Sequence, residues 1–125
     1  MVEPQEFKDK IRGIISQEYA IEFLGTNFDQ IATLLTDSKV QSIYDWIQKV
    51  IERKIQPITI GSKKQYRNWK ISELMTFRHA FNLSNVEYRI LFVKVKNSFY
   101  IEFHLGDHKY YDKVRTSLDI KKRNY

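Results

Sequence analysis

The residues best suited to chemistry crowd the second half of the chain. Arg78 and Arg89 carry a permanent charge on a planar fork that matches phosphate geometry. His104 and His108 exchange protons near neutral pH, and Lys109, Tyr110 and Tyr111 follow directly. Upstream, Lys63-Lys64-Gln-Tyr-Arg67-Asn-Trp69-Lys70 interleaves cations with aromatic rings. Charge suits phosphates and flat rings suit bases, so the segment reads as a nucleic-acid surface or, equally, as a basic loop with Trp69 tucked beneath it.

Other chemistries are poorly supplied. The chain has no cysteine, which removes disulfides, thiol catalysis and cysteine-ligated zinc together. Glu102, His104, Asp107 and His108 offer nitrogen and oxygen ligands, but Gly106-Asp107 puts an element boundary between the two histidines. No metal site and no cofactor are expected. A serine elbow, a P-loop and a dinucleotide fingerprint are all missing.

Charge points the same way as the residue types. The chain carries a net +6 over 125 residues, distributed unevenly. Residues 1–60 hold 7 basic and 9 acidic groups, whereas residues 61–125 hold 14 and 6. Such asymmetry attracts polyanions, nucleic acid first among them; the plain alternative is a solvated basic face. Hydrophobic residues make up 42% and aromatics 14%, enough for one core and too few residues for two. No apolar run approaches the ~20 residues of a membrane span. The first residues lack the basic flank and apolar stretch of a secretion signal. One soluble, cytoplasmic domain of bacterial or phage type is the expectation.

The elements that must hold these residues follow from periodicity. Glu3-Pro4 with Phe7, Ile11, Ile14 and Ile15 predicts an amphipathic helix over about residues 3–16. Tyr19, Ile21 and Phe23 alternate as a strand, and Phe28, Ile31, Leu34 and Leu35 mark a helix. Ser38 and Gln41 form a capping-box pattern before a longer helix faced by Val40, Ile43, Tyr44, Ile47, Val50, Ile51 and Ile55. Pro57 ends it. Three strands of period two follow: one with Met75, Phe77 and Phe81 opposite Thr76, Arg78 and Ala80; a central one from Val86 to Val95; and one with Phe99, Ile101, Phe103 and Leu105 opposite Tyr100, Glu102 and His104. Gly106-Asp107 then caps a last helix with Tyr110, Tyr111, Val114 and Leu118 inward. The predicted class is α+β: a helical hairpin on a small, mainly antiparallel sheet, with helices added at both ends. It forms a single domain over residues 1–125, with an N-terminal helical extension (1–18), a core (19–118) and a basic tail (119–125).

Leu74-Met-Thr-Phe-Arg78 followed by Glu87-Tyr-Arg-Ile-Leu-Phe92 resembles the leucine, arginine and tyrosine-arginine-apolar signature of the RelE/ParE toxin superfamily. His104-Leu-Gly-Asp-His108-Lys109 resembles the glycine-histidine-arginine ending of that family's last core strand. The resemblance covers roughly residues 19–118. It implies the toxin of a toxin–antitoxin pair, its partner an acidic, partly disordered antitoxin. The best-known members cut mRNA on the ribosome without metal, using the message's own 2′-OH; related members poison DNA gyrase instead. A phage or mobile-element protein that keeps the fold without the activity is a third reading.

Cleavage of that kind needs a base for the 2′-OH, charge at the pentavalent phosphate and an acid for the leaving 5′-oxygen. On the resemblance, Arg78 and Arg89 bind phosphate, His104 and His108 move protons, Lys109 adds charge, and Tyr110 or Tyr111 stacks a base or orients the phosphate. Lys63, Lys64, Arg67 and Trp69 would contact RNA. Each has a plain counterpart: Arg89 paired with Glu87, Arg78 solvated on an open sheet face, one of the tyrosines in the core. His79, in phase with Met75, Phe77 and Phe81, reads as a packed histidine. The sequence departs from the family in carrying lysine at 109 where the family has arginine. Its tyrosines also come two and three residues after His108, earlier than in some family nucleases.

Overall fold

Proline at the first helical position gives up an N–H that would have no partner there anyway. Pro4 opens α1 (Pro4–Ile15) in this way, and Phe7, Ile11 and Ile15 recur on one face, all buried. The computed structural model describes residues 2–61, 65–66, 69–70, 73–96 and 98–118. After α1 come β1 (Ala20–Leu24), α2 (Phe28–Leu34) and α3 (Asp37–Ile51). Short strands β2 (Ile58–Gly61), β3 (Gln65–Tyr66) and β4 (Trp69–Lys70) lead into β5 (Glu73–Leu83), β6 (Val86–Val95) and β7 (Tyr100–Asp107). The last element is α4 (His108–Ser117).

Five strands form a mixed sheet in the order β1-β7-β6-β5-β2, and β3 and β4 pair only with each other. β1 runs parallel to β7, and the other pairings of the large sheet are antiparallel. Ser84 and Asn85 turn the chain between β5 and β6, both with positive φ (48° and 66°). That pair of left-handed residues is what a two-residue hairpin demands, and it fixes Leu83 opposite Val86. The register then runs unbroken from Leu83↔Val86 to Leu74↔Val95. The α+β class expected from the periodicity is the class observed.

Helices cover both faces of the sheet. On one side the main core joins Phe7, Phe28, Ile43, Ile47, Phe92 and Phe103. Phe7 lies at its centre, its ring 6.2 Å from Phe28, 5.9 Å from Tyr44 and 6.4 Å from Phe103. α1 packs against α2 and α3, so it belongs to the helical layer rather than extending from it. On the other side α4 lies over β6 and β7, closing a smaller cluster of Leu74, Leu91, Val93, Val95, Tyr111 and Leu118.

Several expectations shift in detail. The helix cap is Thr36, two residues before the Ser38-Gln41 pattern; its hydroxyl accepts from the Lys39 amide, while Gln41 donates to Asp45 within the helix. Phe99 does not join a core face; it stays largely exposed before β7 and meets the Tyr19 ring at 5.4 Å. Trp46, not singled out by the apolar pattern, is buried on α3 beside Phe92 and His79. The face of β7 that carries Tyr100, Glu102 and His104 is covered, with Glu102 0% and His104 5% exposed.

Candidate functional site

A fully buried carboxylate needs partners to repay its lost hydration. Glu102 finds them along its own strand. Its Oε1 stands 2.9 Å from His104 Nε2, and its Oε2 stands 2.9 Å from the Tyr100 hydroxyl. Residues two apart on a strand share a face, which is why Tyr100, Glu102 and His104 line up here. The Tyr100 hydroxyl is also 2.9 Å from Glu22 Oε2 on β1, so its one hydrogen is shared between two carboxyl groups. Parallel pairing sets Glu22 directly opposite Glu102. Burial, then hydrogen bonds to Glu102 and Glu22, then their charges hold the Tyr100 phenol far above the ordinary tyrosine range. It remains a neutral donor.

The other end of the row reaches α4. His104 Nδ1 is 2.8 Å from the Tyr110 hydroxyl. With the Glu102 carboxylate accepting from Nε2–H, Nδ1 is left to accept from the tyrosine O–H. The helix is aimed by its cap, since the Asp107 carboxylate accepts from the Tyr110 amide at 2.9 Å. Gly106 makes the approach possible: a Cβ there would lie 2.4 Å from Tyr110 Cδ2. Glu102, His104 and Tyr110 thus form a continuous relay with the histidine in the middle.

Arginines gather beside it. Gly106 pairs with Arg89, which pairs with Ala80; Arg78 shares the same sheet face two residues away on β5. The Arg89 guanidinium lies over the Tyr111 ring, 4.8 Å from its centre, and binds Glu87 through Nε (2.9 Å) and Nη2 (2.8 Å). Burial raises the Tyr111 phenol, opposed by the charges of Arg78, Arg89 and Arg115. The charges of three guanidinium groups therefore act on one buried tyrosine. Arg115, also 3.5 Å from Asp112, sits four residues after Tyr111 and so on the same side of the helix. That i,i+4 spacing was the available signal for Arg115, as alternation with His104 was for Glu102 and Tyr100.

The remaining candidates divide. His108 lies on α4 with its Nδ1 3.5 Å from Asp112, half exposed and outside the Glu102–His104–Tyr110 row. Lys109 is exposed and lines a cavity of about 600 Å³ between α2, β6 and α4, with Asn27, Gln30, Tyr88, Tyr110 and Lys113. Tyr110 belongs both to that cavity and to the relay. Strand spacing of ~4.8 Å puts Arg78 two strands, or about 10 Å, from His104 in the row Arg78–Leu91–His104. Lys63, Lys64 and Arg67 lie outside the described residues; Trp69 opens β4, where it pairs with Tyr66. His79 packs 5.2 Å from Trp46, as a core histidine would.

Comparison with protein-family models, curated proteins and solved structures finds no match. Among the described residues, no three histidine, aspartate or glutamate side chains gather at a metal-sized point. What the site does combine is a buried proton relay ending in a phenol, arginines on the same face and a lysine-lined cavity at its edge.

Proposed function

We propose that this protein is a RelE-like toxin of a toxin–antitoxin pair that cleaves mRNA on the ribosome without a metal. The observation that carries the reading is the Glu102–His104–Tyr110 row, with its terminal phenol in a cavity that also holds Lys109 and Lys113. In this chemistry the 2′-oxygen attacks the adjacent phosphorus and the bond to the 5′-oxygen breaks, leaving a 2′,3′-cyclic phosphate and a 5′-hydroxyl. Tyr110, its O–H directed at His104, moves a proton at one of those oxygens, and His108 serves the other. Arg78 and Arg89 neutralise the charge that grows on the phosphate, with Lys109 adding to it. His104 acts through Tyr110, because both of its ring nitrogens are already engaged. An acidic antitoxin would cover the basic half of the chain.

One observation favours a second reading. The Arg89 fork is bound to Glu87 and lies over Tyr111, and His104 is 5% exposed, as groups that hold a fold together would be. A ParE-like inhibitor that binds DNA gyrase, or a phage protein that only binds, would need the basic surface and not the relay. Mapping of mRNA 5′ ends in a reconstituted translation reaction separates the two. New 5′-hydroxyl ends at fixed codon positions, only when ribosomes translate, support cleavage; intact message with inhibited supercoiling supports the second reading.

A further inference from the structure

On the opposite face of the sheet from the relay, a lysine lies between two apolar residues of the neighbouring strands. Lys94 lies on β6 between Met75 on β5 and Ile101 on β7, with Ile21 of β1 beyond Ile101. Alternation puts Lys94 on the same face as Phe92, the one covered by α1, α2 and α3. Its side chain borders a cavity of about 540 Å³ floored by Ile15, Val50, Phe77, Phe92 and Ile101. Arg53 and Lys96 border the same cavity, and Met75 and Tyr19 complete its wall.

Lys94 and Arg53 are the two cations that bear on one another at this cavity. Among the described residues Lys94 makes no ion pair, and its ammonium lies 5.8 Å from the centre of the Tyr19 ring. Burial and then the charge of Arg53 pull the Lys94 ammonium below the ordinary lysine range. Arg53 follows α3 in the left-handed conformation (φ 60°), held by its amide bonding back to the Val50 carbonyl. The nearby Glu52 carboxylate is taken by Lys54 at 3.5 Å. Cations that repel one another across an apolar cavity lower their energy when an anion comes between them. A cavity of this size with few charged groups is the usual form of a small-molecule site.

We propose that this cavity binds an amphiphilic anion, a carboxylate on an aliphatic body, with the chain over Phe77, Phe92 and Ile101 and the carboxylate between Lys94 and Arg53. The site is separate from the relay and holds whether or not the protein cleaves RNA.

Decanoate and its uncharged counterpart decanol, titrated into the full-length protein by calorimetry, test it. A methyl label on Met75, one of only two methionines in the chain, reports the location by NMR. Decanoate binds near 1:1 and shifts the Met75 methyl, and decanol binds at least about tenfold more weakly. Lys94→Gln and Arg53→Gln each weaken decanoate by about tenfold. Arg53 is exposed, so its variant keeps the test open should Lys94→Gln fail to fold. Equal binding of decanoate and decanol, wild-type affinity in the foldable variants, or no heat and no Met75 shift overturns the proposal. A dimer that covers the cavity and excludes decanoate also overturns it.

Discussion

His104 Nδ1 and the Tyr110 hydroxyl meet at 2.8 Å across the junction between the last strand and the last helix. The contact joins the sheet's buried carboxylate to a phenol that borders a lysine-lined cavity. Consequences follow for stability as well as for chemistry.

His104→Ala removes one hydrogen-bond donor, beside Tyr100, from a carboxylate that has no access to water. Losing one hydrogen bond to a buried charged group costs about 1–3 kcal/mol. His108→Ala removes only a half-exposed contact at 3.5 Å and costs less than about 1 kcal/mol. Urea unfolding of the two variants checks the ranking, and equal losses would contradict the buried row.

Gly106→Ala puts a methyl group where the Tyr110 ring now lies. Overpacking of this kind costs about 1–3 kcal/mol, and relief requires the ring to move away from His104. The variant is expected to unfold at lower urea and to lose the hydrogen-bonded signal of the Tyr110 hydroxyl in NMR. An unchanged signal and midpoint would mean that Gly106 does not set the approach.

Removing the cap of α3 distinguishes two serine/threonine positions two residues apart. Thr36→Ala is expected to cost about 1 kcal/mol, and Ser38→Ala only a few tenths, because Thr36 is the residue that accepts from the Lys39 amide. The reverse order in thermal unfolding would return the cap to Ser38.

The cap shows how sequence and structure part company. Ser38 and Gln41 have the right spacing for a capping box, but Thr36 is equally able to cap and lies where the backbone is extended (φ −81°, ψ 162°). The four helices and strands β1, β5, β6 and β7 were readable because apolar spacing reports the face that is buried; β2, a four-residue edge strand, was not. The relay was only half readable. His104 and Tyr110 were visible as residue types, yet Glu102 and Tyr100 looked like the outward side of a half-exposed strand. Their burial depends on α4 folding back over them, a tertiary event with no local signature. Arg115 was marked only by its i,i+4 spacing from Tyr111 on the last helix. The role of α1 was likewise hidden, since an amphipathic helix reads alike whether it joins the core or docks on another molecule.

His79 provides a dependence on pH. Burial first and then the charge of Lys39 hold its imidazole below the ordinary histidine value of ~6.5. The unfolded chain therefore binds that proton more readily than the folded one, and stability rises with pH across the window between them. Its contribution is complete above ~6.5 and is lost as pH falls from there toward the lower folded value. Between pH ~7.5 and ~5.5 the wild type should lose more stability than His79→Gln in urea unfolding. Identical losses would remove His79 as the source.

The most direct test of the central claim compares wild type and Tyr110→Phe in a translating, reconstituted system, with message ends mapped and their chemistry identified. Phenylalanine keeps the ring on Gly106 and removes only the hydroxyl that faces His104. The account predicts 5′-hydroxyl ends within codons for the wild type and a loss of at least ~100-fold in their rate for the variant, the usual scale of a proton-transfer group. Cleavage at the same rate in both proteins would contradict the relay, and intact message in both would contradict cleavage itself.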